Sequence, residues 1–520
     1  MMPFGGRSKR QPPRLAPIVW GDVRLDPDPT DNRICEFVLR NAGSTRYGTG
    51  AIRNTPMPDI HVVVLAAGKG TRMKSARPKV LHEVGGMPMI EYVLNTAAQL
   101  NPATTTIVVG HQAENIRTAL KRHSQLTFVV QEPQLGTAHA LMTTAPLLES
   151  RRGTVVLLSG DVPLLSVQTL KALTETHSAT GAAATVVTAI VENPRGYGRI
   201  VRSGEQIARI VEERDASPSE RSIREINAGI YAFALDGLFN ALRRIATDNA
   251  QQEYYLPDLV AVCRDRGLRV ETISVDKADE ILGINSRAEL STVSQIVRHA
   301  KNAALMAAGV TIVDPATAYI APDVQIGADT VVHPCVFIER GSVVGNGCEI
   351  HSGARIVNSH LGDCVTILNH SVVTDSRIES DASLGPFAHV RNGTVVGPRA
   401  KVGNFVELKK TVLGAGSKSM HLSYLGDATI GRNVNIGAGT ITCNYDGTQK
   451  QQTTIEDGAF IGSDTQLIAP VTVGADAYVG TGTTVRENVP AGALAVSAGK
   501  QRNIDGWVEG KKKRAMKKSE

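Results

Sequence analysis

From residue 320 onward, one apolar side chain recurs every six positions. The series runs Ile320, Ile326, Val332, Ile338, Val344, Ile350 and Ile356, slips in phase around 357–367, and resumes as Ile378, Leu384, Val390, Val396, Val402 and Leu408. It returns as Ile461, Leu467, Val473, Val479 and Val485, and a glycine commonly follows, as in Ile326-Gly327, Val402-Gly403 and Val473-Gly474. A six-residue period means one flat face per hexapeptide and three faces per coil, which is a parallel β-helix. Each coil is stabilised mainly by stacking on its neighbours, so the element must be long. Composition agrees, because 49 glycines with only 4% aromatic residues favour a glycine-punctuated repeat over an aromatic-rich core.

At 520 residues the chain is too long for one core. Residues 58–287 alternate short apolar strands with helical stretches. Strands are expected at 106–109, 127–131, 154–158 and 183–189, with helices at 90–100 and 114–123. This βαβ succession predicts a parallel, doubly wound sheet. Ligands of such sheets sit outside the carboxyl ends of the strands. Residues 288–310 carry Leu290, Val293, Ile296, Val297, Ala300, Ala304 and Leu305 on one stripe and read as a helical arm. The expected segments are a dispensable or disordered extension over 1–57, with Met57 as a candidate start, then a sheet domain (58–287), the arm (288–310), the β-helix (311–506) and a basic tail (507–520).

Charge is concentrated at the two ends. Residues 1–56 carry +4 and the tail 511–520 carries +5, so the body between them is mildly acidic within the total of +6. A nucleic-acid-binding body is not supported, and the tail reads as a solvated, disordered end. No apolar run is long enough to span a bilayer. The six cysteines form no CxxC pair, so a reducing cytoplasm is the simplest setting.

The motifs fall at strand ends. The run 60–65 leads into Leu65-Ala66-Ala67-Gly68-Lys69-Gly70-Thr71-Arg72, followed by Pro78-Lys79. Strand, glycine loop and helix aim backbone N–H groups at a phosphate, and Arg72 and Lys79 supply charge for a triphosphate. Gln131 and Gln134-Leu135-Gly136-Thr137 end a later strand. Asp161 ends another. An aspartate there can simply cap a turn, but one strand from a triphosphate loop it reads as a magnesium ligand, since Mg2+ favours hard oxygens with few protein ligands. In the β-helix, the regular repeat is expected to break at 408–427 and at 435–447, leaving room for chemistry. His421 lies in the first break and is the candidate general base.

Taken whole, LAAGKGTRM-x4-PK resembles the signature of sugar-1-phosphate nucleotidyltransferases, and the hexapeptide half resembles left-handed β-helix acyltransferases. GSKxxHLxYLGD and NIGAGTITCNYDG narrow this to the bifunctional N-acetylglucosamine-1-phosphate uridylyltransferase/glucosamine-1-phosphate N-acetyltransferase family. The resemblance covers residues 58–506 and implies an α/β doubly wound nucleotidyltransferase domain, a helical arm and a left-handed parallel β-helix of hexapeptide repeats. It implies that Leu65, Ala66, Ala67, Gly68, Lys79, Gln131, Gly136 and Thr137 bind UTP. Gly198, Glu212 and Asn227 would hold the sugar and its N-acetyl group, and Asp161 with Asn285 would hold Mg2+. Arg72 and Lys79 would act on the leaving phosphates. His421 would be the acetyl-transfer base, with Arg391, Lys409, Tyr424 and Asn435 binding glucosamine-1-phosphate and Glu407 a candidate orienting carboxylate. Ala438, Asn444, Tyr445, Ser463, Thr481 and Ala498 would line the acetyl-CoA site. Ala498 stands where many members carry an arginine, with Lys500 as a substitute phosphate contact, and Thr481 stands where alanine is often found. The resemblance further implies a homotrimer. Rival readings are a nucleotidyltransferase for another sugar with a structural β-helix, and a non-catalytic sugar-nucleotide sensor. The intact HLSYLGD and NYDG strings oppose the first. Asp161, Lys79 and His421 together oppose the second.

Overall fold

The structure, a computed structural model, describes residues 59–497 and 503–516. The expected extension over 1–57 with Met57, and the positions Ala498 and Lys500, lie outside the described residues.

A nine-stranded sheet builds the N-terminal half. Across its main path the strands are Val270–Val275, Ala184–Ile190, Glu225–Ala234, Thr154–Ser159, Ile60–Ala66, Thr104–Val109 and Leu126–Val130. Apolar clusters pack on both faces, so the sheet is doubly wound as expected. It is not wholly parallel. Glu225–Ala234 runs antiparallel to both neighbours. A parallel return needs a crossover of roughly a dozen residues or more, usually a helix. The chain before residue 225 instead forms the hairpin of Arg199–Ser203 and Gln206–Val211 and the short helix Pro218–Arg221.

The C-terminal half is a left-handed β-helix of hexapeptide repeats whose three faces carry, among the described residues, eleven, ten and nine short parallel strands. Inward side chains from all three faces form one continuous apolar column. The phase slip at 357–367 has a simple cause. Ile356 to Leu361 spans one residue fewer than the regular step, and so do Val373 to Ile378, Leu408 to Leu413 and Leu425 to Ile430, always between the second and third faces. Leu361, Ile367 and Val373 are fully buried, so the ladder never stops.

The break expected at 408–427 is absent. Glu407 pairs with Tyr424 and Leu408 with Leu425 in an ordinary coil. The pattern fades there because Ser419 and Thr442, both buried, take inward places that apolar residues hold elsewhere. The second break is real. Arg432 and Asp457 lie 25 residues apart on neighbouring coils where 17 or 18 is usual, because a loop bridged by Tyr445 and Lys450 protrudes.

Helix Arg287–Ala307 joins the halves. Ser286 and Glu289 form a capping box at its start, which satisfies otherwise orphaned backbone donors. Val293 packs with Val84, Met89 and Ile284 of the sheet half. Near its far end, Asn302 donates to the carbonyls of Pro315 (2.8 Å) and Ala318 (3.0 Å), and Lys301 donates to those of Pro322 (3.0 Å) and Val324 (2.6 Å). The open end of the β-helix is thereby capped. The basic tail is not wholly irregular, since Trp507–Met516 is helical. Lys511 lies over the Trp507 ring at 5.1 Å, four residues away, a pairing that helical spacing favours. Among the described residues no helix is long and apolar enough to cross a membrane.

Candidate active sites

The glycine loop follows strand Ile60–Ala66 at the sheet centre. Gly70 is left-handed at φ 58, and a Cβ there would stand 2.8 Å from the Lys79 Cβ, so only glycine lets the loop close on Lys79. Arg72 is exposed on the single helical turn Thr71–Met73, whose Met73 is buried. Lys79 Nζ donates to the Asp161 carboxylate, and to Asn285 Oδ1 at 3.0 Å. The two oxygens expected to hold a metal therefore converge on one cationic atom. Asp161 is held in turn by its carbonyl, which accepts from the Ile284 N–H at 3.0 Å. Gln131 is buried and donates to the Gly136 carbonyl at 2.9 Å, which fixes the next loop. Residues 249–258 pack on that loop, where Leu256 N donates to Thr137 Oγ1 at 3.1 Å and Tyr254 N to the Leu135 carbonyl at 2.8 Å.

The three segments expected at a sugar pocket meet. A Cβ on Gly198 would lie 3.4 Å from Glu212 Oε1 and 3.6 Å from the Asn227 Cβ. Asn227 N donates to the Gly198 carbonyl at 2.9 Å, and Asn227 Nδ2 donates to the Tyr231 hydroxyl at 2.7 Å. Burial raises the Glu212 pKa, Asp258 and Asp215 add to the shift, and Arg199 opposes it. Burial likewise raises the Tyr197 and Tyr231 hydroxyls above their ordinary range. Arg199 is almost fully buried, reaching the Tyr197 carbonyl and Glu213 (2.6 Å), so it pins the loop that carries Gly198.

In the β-helix, His421 ends strand Lys418–His421 beside Asn404 of the preceding coil. Its Nδ1 lies 2.7 Å from Asn404 Oδ1. An amide oxygen only accepts, so Nδ1 carries the proton and Nε2 is left to take one. Asn404, not Glu407, orients the ring. Glu407 is committed elsewhere, accepting from Arg391 Nε at 2.8 Å. Sequence reading overlooks Asn404 because nothing marks it except its place one coil, 17 residues, before His421.

Continued in register, the Asn404–His421 column carries Ala438, Ser463 and Thr481. These small side chains continue the column from the imidazole along the same face. On the adjacent face Arg391 and Lys409 share a second column, and the next place in it is Gly426. Tyr424 folds toward that space, since a Cβ on Gly426 would meet its hydroxyl. Lys409 Nζ is 3.6 Å from Asp427 Oδ2, and Asn444 Nδ2 is 2.5 Å from the same oxygen. Lys409 and Lys450 titrate as a pair, Lys409 raised through Lys450 and by the Asp427 carboxylate and Lys450 lowered by the neighbouring Lys409. Asn435 lies on the first face, paired with Lys418 and Phe460. Tyr445 is exposed on the protruding loop, its hydroxyl donating to the Gly447 carbonyl at 2.7 Å.

Comparison with known proteins matches the same two halves. A MobA-like NTP transferase domain matches residues 62–251, a GMPPB C-terminal domain 316–419, and a hexapeptide repeat of succinyl-transferase 452–487. Bifunctional protein GlmU of Pelobacter propionicus is 49% identical over 452 residues, covering 87% of this chain and 98% of that protein. The chain belongs to the GlmU family. Bifunctional protein GlmU of Heliobacterium modesticaldum is also 49% identical over 452 residues, and that of Geotalea uraniireducens is 47% identical over 457 residues, covering 88% of this chain and all of that protein. As a GlmU-family member the protein is a bifunctional enzyme of UDP-N-acetylglucosamine synthesis. Its activities are glucosamine-1-phosphate N-acetyltransferase and N-acetylglucosamine-1-phosphate uridylyltransferase.

Proposed function

We propose that the two constellations divide the two steps, with His421 as base of the first and the Leu65–Lys79 loop as the triphosphate cradle of the second. The observation that carries this is His421, oriented by Asn404, at the foot of the column of small side chains Ala438, Ser463 and Thr481. In the first step His421 Nε2 takes a proton from the amine of glucosamine-1-phosphate as that nitrogen attacks the thioester carbonyl of acetyl-CoA. The C–N bond forms, the C–S bond breaks, and coenzyme A leaves as its thiol. Arg391 and Lys409, with Tyr424 and Asn435, hold the sugar phosphate. Ala438, Asn444, Tyr445, Ser463 and Thr481 line the path of acetyl-CoA.

In the second step Gly198, Glu212 and Asn227 hold N-acetylglucosamine-1-phosphate, whose phosphate oxygen attacks the α-phosphorus of UTP. The P–O bond to the leaving pyrophosphate breaks. Backbone from Leu65 to Gly68, with Gln131, Gly136 and Thr137, binds the nucleotide, and Arg72 and Lys79 meet the leaving phosphates. Asp161 and Asn285 fit a divalent cation, because both oxygens already face one positive atom, the Lys79 ammonium. Asp161 and Asn285 would hold Mg2+ there, and it would supply positive charge against the reacting phosphates.

The assembly is read as a closed trimer acting in the cytoplasm. His370, Phe387, Phe405 and Leu422 form a column beside His421, each at positive φ. Phe387 stacks on Phe405 at 5.4 Å, and Phe405 and Leu422 are 56% and 63% exposed. Bulky residues in this conformation cost about 1–2 kcal/mol each, and a second copy of the chain is the natural cover for such an apolar column. The division of labour is tested by supplying the intermediate. The His421→Ala enzyme is expected to lose acetyl transfer by roughly 100- to 10,000-fold, yet to convert N-acetylglucosamine-1-phosphate and UTP at the wild-type rate. Loss of both steps would overturn the assignment.

A further inference from the structure

Outside both sites, the first face of the β-helix carries His333, Glu349 and His351. His333 follows strand Val331–Val332, and His351 follows Glu349–Ile350 one coil further on. The two imidazoles stack with centroids 4.6 Å apart and planes 7° from parallel. Glu349 Oε1 lies 3.4 Å from His333 Nε2 and 3.3 Å from His351 Nε2. Those separations are long for charge-assisted hydrogen bonds, which settle near about 2.7–2.9 Å. The separations do match the edges of a coordination shell. A tetrahedral ion with bonds of about 2.1 Å has ligand-to-ligand edges of roughly 3.4 Å.

We propose that His333, Glu349 and His351 bind one divalent transition-metal ion of the zinc class, linking two successive coils of the β-helix. The three donor atoms all lie within 4.8 Å of one another. Two imidazoles and one carboxylate select Zn2+ and its borderline relatives over Mg2+, which takes oxygen ligands. The scaffold holds the two coils in register, and the nearly parallel rings turn about their Cβ–Cγ bonds to aim both Nε2 atoms at one ion. His333 N donates to the Ile350 carbonyl at 2.9 Å and His351 N to the Ile367 carbonyl at 2.8 Å. Access is open, since the side chains of His333, His351 and Glu349 are 29%, 24% and 50% exposed. In register, the column continues as Val313 below and Leu368 above, neither of which offers a metal donor, so the site is confined to these three residues with water completing the shell. This ion is separate from the Mg2+ assigned to Asp161 and Asn285, and no step of either reaction passes through it.

The test is calorimetric titration of the full-length protein with Zn2+ in excess Mg2+, so that hard-oxygen sites are already filled. Wild type is expected to bind one Zn2+ per chain more than the His333→Gln/His351→Gln variant, and each single substitution to weaken that site by roughly tenfold or more. Cobalt(II) added in place of zinc should give the visible absorption of a low-coordinate site in wild type only. Both transferase activities of the double variant, measured without zinc, should equal wild type. Equal Zn2+ stoichiometry in wild type and variant would overturn the proposal. If the double variant does not fold, Glu349→Gln, at a half-exposed position, makes the same comparison.

Discussion

In the sequence Lys79 reads as a cation for phosphates. What the sequence does not contain is where its ammonium rests, which is between Asp161 and Asn285, more than 80 and 200 residues away in the chain. A metal and an ammonium cannot share two oxygens at hydrogen-bond distance, so a metal arriving there would displace Lys79, freeing it for the phosphates. Glu212 offers a second residue-scale consequence. Burial, aided by Asp258 and Asp215, raises its pKa, so its ionised form costs the fold stability. That cost is absent below the ordinary carboxylate range, where the group is protonated folded or unfolded, and grows as pH rises through the raised value. Glu212→Gln is therefore expected to raise the unfolding midpoint near neutral pH and to leave it unchanged in acid, read by thermal melts across pH. The same variant should raise the KM for N-acetylglucosamine-1-phosphate by roughly 10- to 100-fold, the equivalent of one hydrogen bond to a charged group. A KM unchanged at neutral pH would remove Glu212 from the sugar pocket.

At the scale of elements, periodicity revealed the β-helix because each inward position must be apolar to stack on the next. Besides slipping at the five-residue steps, it fades where that demand is relaxed. Ser419 is fully buried and its hydroxyl has no hydrogen-bond partner, so the period is lost without the coil being lost. Ser419→Ala removes an unsatisfied buried hydroxyl and is expected to stabilise the protein by about 1 kcal/mol in denaturant unfolding. Destabilisation would mean that the hydroxyl is satisfied in solution. In the sheet half, apolar runs mark five strands but not Arg199–Ser203, Gln206–Val211, Glu225–Ala234 or Val270–Val275, and the reversed direction of Glu225–Ala234 leaves no mark on its own residues because the hairpin before it sets that direction. Asn404 escaped notice for a related reason. Its role depends on the register between coils, and a sequence displays spacing but not which outward side chain faces which.

At the scale of the molecule, helix Arg287–Ala307 packs on the sheet half at one end and caps the β-helix at the other. The two sites are thus carried on separate cores in a single chain. The aromatic column beside His421 gives assembly its own test. Phe405→Asp places a charge in the proposed contact and is expected to shift the light-scattering mass from trimer toward monomer and to lower acetyl transfer at least tenfold, with uridylyl transfer intact. A trimer unchanged in mass would place the contact elsewhere. The division of chemistry between the halves is tested most directly by complementation. Asp161→Ala and His421→Ala enzymes are assayed singly and mixed, with glucosamine-1-phosphate, acetyl-CoA, UTP and Mg2+. Neither alone is expected to form UDP-N-acetylglucosamine, whereas the mixture should, because the intermediate made by the first variant is consumed by the second. A mixture as inactive as its parts, or either variant lacking both half-reactions, would contradict the assignment of one site to each half.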